Sequence, residues 1–127
     1  MKSIIYFDSK TGNVKRFVEN VVSKRQDLIV IDINDHDHFV DKGHLITYTT
    51  GRGEVPVTTK YFLERYSSLI KSISASGNKN WGSNFALSAD TISKTYNLPI
   101  LIKFELSGFD SDVTAFLNQI DNIKSFD

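Results

Sequence analysis

A loop rich in hydroxyl groups, Asp8–Val14, contains the residues of this chain whose types and spacing are best suited to chemistry. It follows the apolar run Ile4–Phe7 and precedes a segment with the apolar spacing of a helix. The N-terminus of a helix offers unpaired N–H groups and a partial positive charge. Ser9 and Thr11 add hydroxyl donors, and Gly12 lets the backbone approach a ligand closely. The loop is therefore predicted to bind a phosphate group.

The order of residues in this loop narrows the kind of phosphate site. The pattern S-x-T-G-N at residues 9–13 is not the dinucleotide-binding pattern G-x-G-x-x-G, and it lacks the G-K-[ST] ending of a P-loop. It matches the phosphate loop of flavodoxins, which holds the mononucleotide FMN. An ordinary turn between a strand and a helix is the alternative for this loop taken alone.

Composition restricts the class of protein. The 127 residues are enough for one domain with a hydrophobic core. Acidic and basic residues number 15 each, so net charge predicts binding to neither nucleic acid nor a membrane surface. The absence of cysteine excludes disulfides, thiol catalysis and iron–sulfur ligation, so a redox role would need a bound cofactor. No apolar run reaches the roughly 18 residues of a membrane span, and no signal-peptide pattern is present, which predicts a cytoplasmic protein.

Apolar runs alternate with helical patterns along the chain, and this alternation predicts a parallel sheet with right-handed crossovers. For five strands we expect a flavodoxin-like three-layer α/β sandwich with strand order 2-1-3-4-5, formed by residues 1–127 as one domain. The predicted strands are Ser3–Phe7, Leu28–Ile33, Leu45–Thr49, Leu69–Ser74 and Ile100–Phe104. The predicted helices are Asn13–Lys24, Val57–Tyr66, Ser83–Tyr96 and Asp112–Ile123, the last capped by Asp110 or Ser111.

This topology brings three loops together at the carboxyl ends of strands 1, 3 and 4. The first is the predicted phosphate loop. The second, Thr49–Pro56, has two glycines whose backbone is expected to reach the reactive N5 edge of a flavin, although turn geometry alone is the alternative. The third, Ser76–Gly82, contains the sole tryptophan, Trp81, which is expected to stack on the ring rather than lie in the core. Asn78 and Asn80 are candidates to bond the pyrimidine end of the ring.

Three motifs carry a resemblance to a known family. They are T-G-x-G-E-V-P at Thr50–Pro56, A-S-G-N-x-N-W-G at Ala75–Gly82 and K-F-E-L-x-G at Lys103–Gly108. Together they resemble the NrdI family, the flavodoxin-like ribonucleotide reductase stimulatory proteins. The similarity extends over nearly the whole chain, whereas ordinary flavodoxins share only the first loop convincingly.

The resemblance implies FMN as cofactor and the small, radical-bearing, dimanganese subunit of a ribonucleotide reductase as partner. In that family the reduced flavin reacts with O2, and an oxidant taken to be superoxide leads to a tyrosyl radical in the partner. Because this chain has no NAD(P)H domain, a separate flavin or flavodoxin reductase is expected to supply electrons. No catalytic side chain and no metal site are expected in the chain itself.

The resemblance also implies which residues bind FMN. The phosphate and ribityl contacts fall on Ser9, Lys10, Thr11, Gly12, Asn13 and Val14. The contacts to the ring fall on Thr49, Thr50, Gly51, Ser76, Gly77, Asn78, Trp81 and Gly82. Two positions depart from the pattern, because flavodoxins usually have threonine where this chain has Val14, and several relatives have an apolar or aromatic residue at the position of Arg52.

The charges of the three loops predict redox behaviour. Lys10, Arg52 and Lys79 outnumber Asp8 and Glu54, so we expect the anionic reduced flavin to be stabilised. Screening of exposed cations by solvent is the alternative.

Rival functions remain open at the level of sequence. A general flavodoxin electron carrier shares the fold but surrounds its flavin with acidic residues. A phospho-receiver domain shares the strand order but needs an acidic acceptor where this chain has Thr49 and Thr50. A module that has lost FMN is disfavoured by the S-x-T-G-N loop and Trp81. The ligand-rich segment Asp32–His38 is expected to be a solvated loop rather than a metal site.

Overall fold

The computed structural model describes residues 3–124 and contains a five-stranded parallel sheet with the order β2-β1-β3-β4-β5. The strands are β1 (Ser3–Phe7), β2 (Leu28–Asp32), β3 (Gly43–Tyr48), β4 (Ile70–Gly77) and β5 (Ile100–Glu105). The helices are α1 (Asn13–Lys24), α2 (Val57–Tyr66), α3 (Leu87–Tyr96) and α4 (Asp110–Lys124), and 3-10 turns lie at Ser67–Leu69 and Lys79–Asn84. The predicted fold class and strand order are confirmed.

The sheet has a hydrophobic core on each face, which makes the fold a three-layer sandwich. Alternate residues of β1 divide between the two cores: Ile4 and Tyr6 join the core under α2 and α3, while Ile5 and Phe7 join the core under α1 and α4. Because both faces are covered, β1 is buried along its whole length, as expected for a strand inside a parallel α/β sheet.

The core under α1 and α4 holds the turn that follows β5. Phe17 stacks on Phe104 with ring centroids 4.0 Å apart, and it meets Phe116 edge-on. Gly108 lies against this stack with φ +77°, and a Cβ there would come 2.7 Å from the Phe17 ring. The turn Leu106–Phe109 is therefore packed closely onto the core next to the carboxyl end of the sheet.

Two helix starts differ from the sequence predictions. The third helix begins at Leu87 rather than Ser83, because Gly82 breaks the preceding turn with φ +56° and Ala86 has a left-handed backbone. The fourth helix begins at Asp110 rather than Asp112. Neither Asp110 nor Ser111 caps it, since both lie within the helix, and instead the Asp112 carboxylate accepts a hydrogen bond of 2.7 Å from the Phe109 N–H.

Strand β4 is longer than predicted. It runs to Gly77 rather than Ser74, so Ser76 and Gly77 lie at the end of a strand and not in the loop after it. None of the helices within residues 3–124 has the length and apolar character needed to cross a bilayer.

Candidate functional site

The carboxyl ends of β1, β3 and β4 enclose one side of a cavity of about 300 Å³. The residues around it come from all three predicted loops and from the turn after β5. They are Ser9, Lys10, Thr11, Asn13, Val14, Tyr48, Thr49, Thr50, Ser76, Gly77, Asn78, Trp81, Asn84 and Leu106. Of the residues predicted from sequence to form the site, Gly12, Gly51 and Gly82 do not line the cavity.

The first loop ends at the N-terminus of α1, as an anion site requires. Gly12 is the N-cap residue with φ +97°, and no side chain caps the helix there. The N–H groups of a first helical turn have no acceptor within the helix, so they remain available to an anion unless a side chain takes them. The hydroxyl oxygen of Ser9 accepts a hydrogen bond of 3.2 Å from the backbone N–H of Lys15, so this N–H is no longer available. The local geometry therefore suits a phosphate at this end of the cavity.

The side chain of Val14 is buried in the core, although the residue borders the cavity. It is 1% exposed and packs in the core with Phe17 and Val18. Only its backbone is thus available to the cavity, and the methyl groups that replace the threonine hydroxyl contribute to core packing instead.

A polar network ties the start of α1 to the turn after β5. The Asn13 Oδ1 accepts hydrogen bonds from Arg16 Nη2 at 2.7 Å and from the Ser107 hydroxyl at 2.8 Å. Arg16 Nε also donates to the Ser107 hydroxyl over 3.0 Å. The side-chain carbonyl of Asn13 is therefore engaged within the protein, and only its amide N–H₂ is left for a ligand.

Leu106 is a cavity residue that the sequence predictions missed. Its φ of +54° is uncommon for a side chain of this size, and hydrogen bonds on both sides hold it. Its N–H donates to Gly77 O over 3.0 Å, and its carbonyl accepts from the Ser76 hydroxyl over 2.6 Å. The motif K-F-E-L-x-G at Lys103–Gly108 contains Leu106 and forms part of the family resemblance. This motif could have indicated that the turn after β5 belongs to the site.

The second loop closes on itself as a small hairpin. Thr50 and Glu54 exchange backbone hydrogen bonds of 3.0 and 2.7 Å. Gly53 is buried at the closure, and a Cβ there would lie 2.8 Å from the Leu87 side chain. Gly51 lies at the exposed tip with φ +56°. Thr49 and Thr50 thus border the cavity, whereas the glycines shape the hairpin around them.

The third loop places its tryptophan at the rim of the cavity. Trp81 is 43% exposed, so it is not a core residue. The turn beneath it is fixed by Asn78, whose side-chain carbonyl accepts from Asn80 N–H at 2.9 Å and whose backbone carbonyl accepts from Trp81 N–H at 3.1 Å. Asn80 itself does not line the cavity. Gly77 allows this loop to pack against α3, because a Cβ there would be 2.5 Å from the Ala86 nitrogen.

Tyr48 and Asn84 are two further cavity residues absent from the sequence predictions. Burial raises the pKa of the Tyr48 phenol, and the negative charge of Asp8 raises it further, while a hydrogen bond with Thr58 acts in the opposite direction. Tyr48 is the last residue of β3 and falls inside a strand predicted from the sequence. A tyrosine at such a position is usually a packing residue, so its residue type did not indicate a role in the site. Asn84 ends the 3-10 turn Lys79–Asn84, whereas the sequence prediction placed this residue in the helix Ser83–Tyr96.

A sequence model of the family described as "NrdI Flavodoxin like" matches residues 5–118. The chain belongs to the NrdI family. It is 49% identical over 119 residues to Protein NrdI of Bacillus licheniformis, a match that covers 94% of this chain and 88% of that protein. It is 39% identical over 123 residues to Protein NrdI of Macrococcus caseolyticus, covering 97% and 92%.

Solved structures share the fold at low sequence identity. A short-chain flavodoxin associated with a non-canonical PDU bacterial microcompartment aligns with a TM-score of 0.77 at 16% identity, over 99% of this chain and 98% of that one. Oxidised flavodoxin 2 from Bacillus cereus aligns with a TM-score of 0.67 at 17% identity over the full length of both chains. These likenesses establish the flavodoxin-like architecture of this NrdI family member.

Membership of a flavodoxin-like family implies FMN as the cofactor, and the residues present fit it. The N-terminus of α1 suits a phosphate, and the exposed face of Trp81 suits a flat aromatic ring. The volume of about 300 Å³ lies at the lower end of the range of roughly 300–1,000 Å³ typical of small-molecule sites.

Proposed function

We propose that this protein is an FMN flavoprotein that activates the dimanganese small subunit of a class Ib ribonucleotide reductase. When bound, FMN would supply the redox chemistry, the one-electron reduction of O2 to superoxide, which is the oxidant that leads to the manganese–tyrosyl radical. The observation that carries the proposal is the cavity at the carboxyl ends of β1, β3 and β4 in a chain of the NrdI family. The alternative is a general flavodoxin-type electron carrier.

The residues of the first loop would hold the phosphate and ribityl groups. We assign this role to Ser9, Lys10, Thr11, Gly12, Asn13 and Val14. The N–H groups of the first turn of α1 favour an anion electrostatically, and exposed Lys10 adds a positive charge. Gly12 and Val14 contribute only backbone, since one has no side chain and the other is buried in the core.

The residues of the second and third loops would hold the ring. We assign this role to Thr49, Thr50, Gly77, Asn78 and Trp81, while Gly51 and Gly82 shape the loops from outside the cavity. Trp81 is exposed at the rim and offers a flat face for stacking, while Asn78 keeps its amide N–H₂ for an acceptor on the ring. Ser76, whose hydroxyl is bonded to the Leu106 carbonyl, fixes the edge of the cavity rather than the ligand.

Access to the cavity supports a reaction that involves a partner. Trp81 and Leu106 line the cavity and are partly exposed, and Phe109, three residues after Leu106, is 69% exposed. Exposed large apolar side chains grouped beside a site are a common feature of protein interfaces. We therefore propose that the small subunit approaches on this side, and that a separate flavin or flavodoxin reductase delivers electrons. The whole chain would act as one FMN-binding domain in the cytoplasm.

Radical formation in the partner tests the proposed function. The FMN-loaded protein is reduced anaerobically and mixed with the cognate small subunit loaded with Mn(II), and O2 is then admitted. The expected result is a tyrosyl radical, detected by electron paramagnetic resonance, that requires the reduced protein, Mn(II) and O2 together. Unreduced FMN-loaded protein is the matched control.

Two other results would reject the proposal. If the reduced protein passed electrons to a soluble redox acceptor but gave no radical with the small subunit, the electron-carrier function would be the correct one. If the apoprotein did not bind FMN at micromolar concentrations, as judged by quenching of FMN fluorescence, neither redox function would hold.

A further inference from the structure

The three loops carry charges of both signs, but the signs differ in burial. Lys10, Arg52 and Lys79 are exposed, and so is Glu54. Asp8, at 2% exposure, is the buried member of this set. Exposed charges are screened over a distance of about 8 Å at physiological ionic strength, whereas buried charges are screened much less. The least screened charge among these residues is therefore the negative charge of Asp8. Counting charged residues in the three loops predicts the opposite sign, because the cations outnumber the anions.

The Asp8 carboxylate is held by neutral donors. Its Oδ1 accepts a hydrogen bond from Asn34 Nδ2 at 2.9 Å. Its Oδ2 accepts from the hydroxyl of Thr59 at 2.6 Å and from that of Thr58. An ionised carboxylate only accepts hydrogen bonds, so this arrangement suits its charged form. The charge is stabilised by dipoles and is not cancelled by a cation among its hydrogen-bond partners.

A further hydrogen bond fixes the hydroxyl dipole of Thr59. The hydroxyl of Thr47 on β3 lies 2.6 Å from that of Thr59, and both residues are buried. Because Thr59 donates its proton to Asp8, Thr47 is the donor in that pair. Dipoles that cannot rotate stabilise a charge without relaxing when a second charge appears nearby.

Asp8 is adjacent to the cofactor cavity. It borders a surface groove that shares Ser9, Lys10, Tyr48 and Thr50 with the cavity. Its backbone leads directly into the predicted phosphate loop. The negative charge of Asp8 also contributes to the raised pKa of Tyr48, which lines both spaces. The negative charge of Asp8 therefore affects a residue that lines the cavity.

We propose that Asp8 lowers the redox potential of the flavin in this cavity by opposing the negative charge of the reduced form. Two electrons and one proton convert oxidised FMN into its anionic reduced form, so reduction adds one unit of negative charge. A fixed like charge nearby disfavours that product and leaves oxidised FMN little affected. The inference rests on the proposed function to the extent that the cavity must hold FMN.

The test is the substitution Asp8→Asn in the FMN-loaded protein. Asparagine keeps the size of the side chain, and a flip of the Asn34 amide lets the new pair remain hydrogen-bonded. The midpoint potential is measured against a reference dye, and the affinity for oxidised FMN by fluorescence quenching. We expect reduced FMN to gain affinity on the order of tenfold relative to oxidised FMN, which is about 30 mV upward for two electrons. The shift should persist at high salt.

The matched control is Asp35→Asn, which removes the same charge from an exposed position in the loop after β2. At high salt its potential should equal that of the unmodified protein. An unchanged potential in Asp8→Asn would overturn the inference. If the unmodified protein bound no FMN, the proposed function itself would fail, and this is measured before any variant is made.

A second variant decides the question if Asp8→Asn does not fold. Asn34→Lys, at an exposed position beside the carboxylate, adds a cation that offsets the charge of Asp8. It should raise the potential in the same direction. A potential equal to that of the unmodified protein at high salt would again overturn the inference.

Discussion

The hydroxyl of Ser107 donates a hydrogen bond of 2.8 Å to the Oδ1 atom of Asn13, which lies 94 positions earlier in the chain. This contact joins the predicted phosphate loop to the turn after β5. Arg16 reinforces it by donating to both partners. The phosphate end and the Leu106 edge of the cavity are therefore mechanically coupled, although no local pattern in the sequence relates them.

Removing this contact should weaken FMN binding. Ser107→Ala deletes one hydrogen bond given to Asn13 and one accepted from Arg16. A net loss of about 1 kcal/mol is expected, which is about a fivefold rise in the dissociation constant of FMN. Fluorescence quenching of FMN by the apoprotein measures it. Ser111→Ala, at an exposed position in α4, is the control. Equal affinities in the two variants would show that the contact does not order the phosphate loop.

Trp81 is expected to act on the ligand more than on the fold. Trp81→Ala should weaken FMN binding by about 1 kcal/mol through lost stacking, while Trp81→Phe retains most of the affinity. The melting temperature of the apoprotein should change little in either variant, because the side chain is 43% exposed. Tyr61→Ala, an exposed aromatic on α2, serves as control. A large loss of apoprotein stability in Trp81→Ala would contradict the assignment.

Gly77, at the end of β4, and Gly82, in the loop after it, should respond very differently to alanine. At Gly77 a Cβ would come 2.5 Å from the Ala86 nitrogen, so either the strand end or the start of α3 must move. At Gly82 nothing lies within 4 Å, and the cost is the strained backbone alone (φ +56°, ψ −123°), about 1–3 kcal/mol. Urea unfolding of the apoprotein should therefore show Gly77→Ala as the more destabilised variant. The reverse order would mean that the packing of β4 against Ala86 is looser than described.

Alkaline pH should destabilise the fold through the phenol of Tyr48, which is partly buried. Burial raises the pKa of Tyr48 above 10.0, and so does the negative charge of Asp8. The unfolded chain then releases its proton before the folded chain does, so the stability that this group contributes is complete below pH 10 and is lost as pH rises through the folded pKa. Tyr48→Phe should flatten the pH dependence of the free energy of unfolding above pH 10, measured with urea.

Tyr6 is the comparison for this pH experiment. Its pKa is also raised, first by burial and then by the charge of Asp41, while a hydrogen bond to the Asp41 backbone acts in the opposite direction. Tyr6→Phe should flatten the same pH window. If neither substitution changed the slope, other groups would control the alkaline limb.

Much of the architecture could be predicted from sequence because parallel strands are buried on both faces. The run Ile4–Phe7 is apolar throughout and Ile100–Phe104 is apolar except for Lys103, and amphipathic segments between such runs indicate crossover helices. Errors fell at element ends. The start of α3 depends on the left-handed backbone of Ala86, a conformation that alanine rarely adopts and that its sequence does not signal.

Chain topology allowed the position of the site to be predicted, but not the orientation of every residue in it. Strand order requires the loops after β1, β3 and β4 to meet, and the structure brings most of the predicted residues around one cavity. That these residues bind FMN stays a prediction. Gly12, Gly51 and Gly82 shape the loops from positions outside the cavity, because a glycine pattern records backbone conformation and not the direction in which the chain faces.

The fold class, the strand order and the family could all be predicted from sequence, because they depend on periodic burial and on local motifs. Tertiary structure alone decided which charge at the site is buried. Asp8 lies only two residues before Lys10 in the chain, and Lys10 is exposed. The Asp8 carboxylate is buried because Asn34, Thr58 and Thr59 donate hydrogen bonds to it. Burial and the strength of a charge depend on segments that converge from distant positions, and no local pattern encodes that convergence.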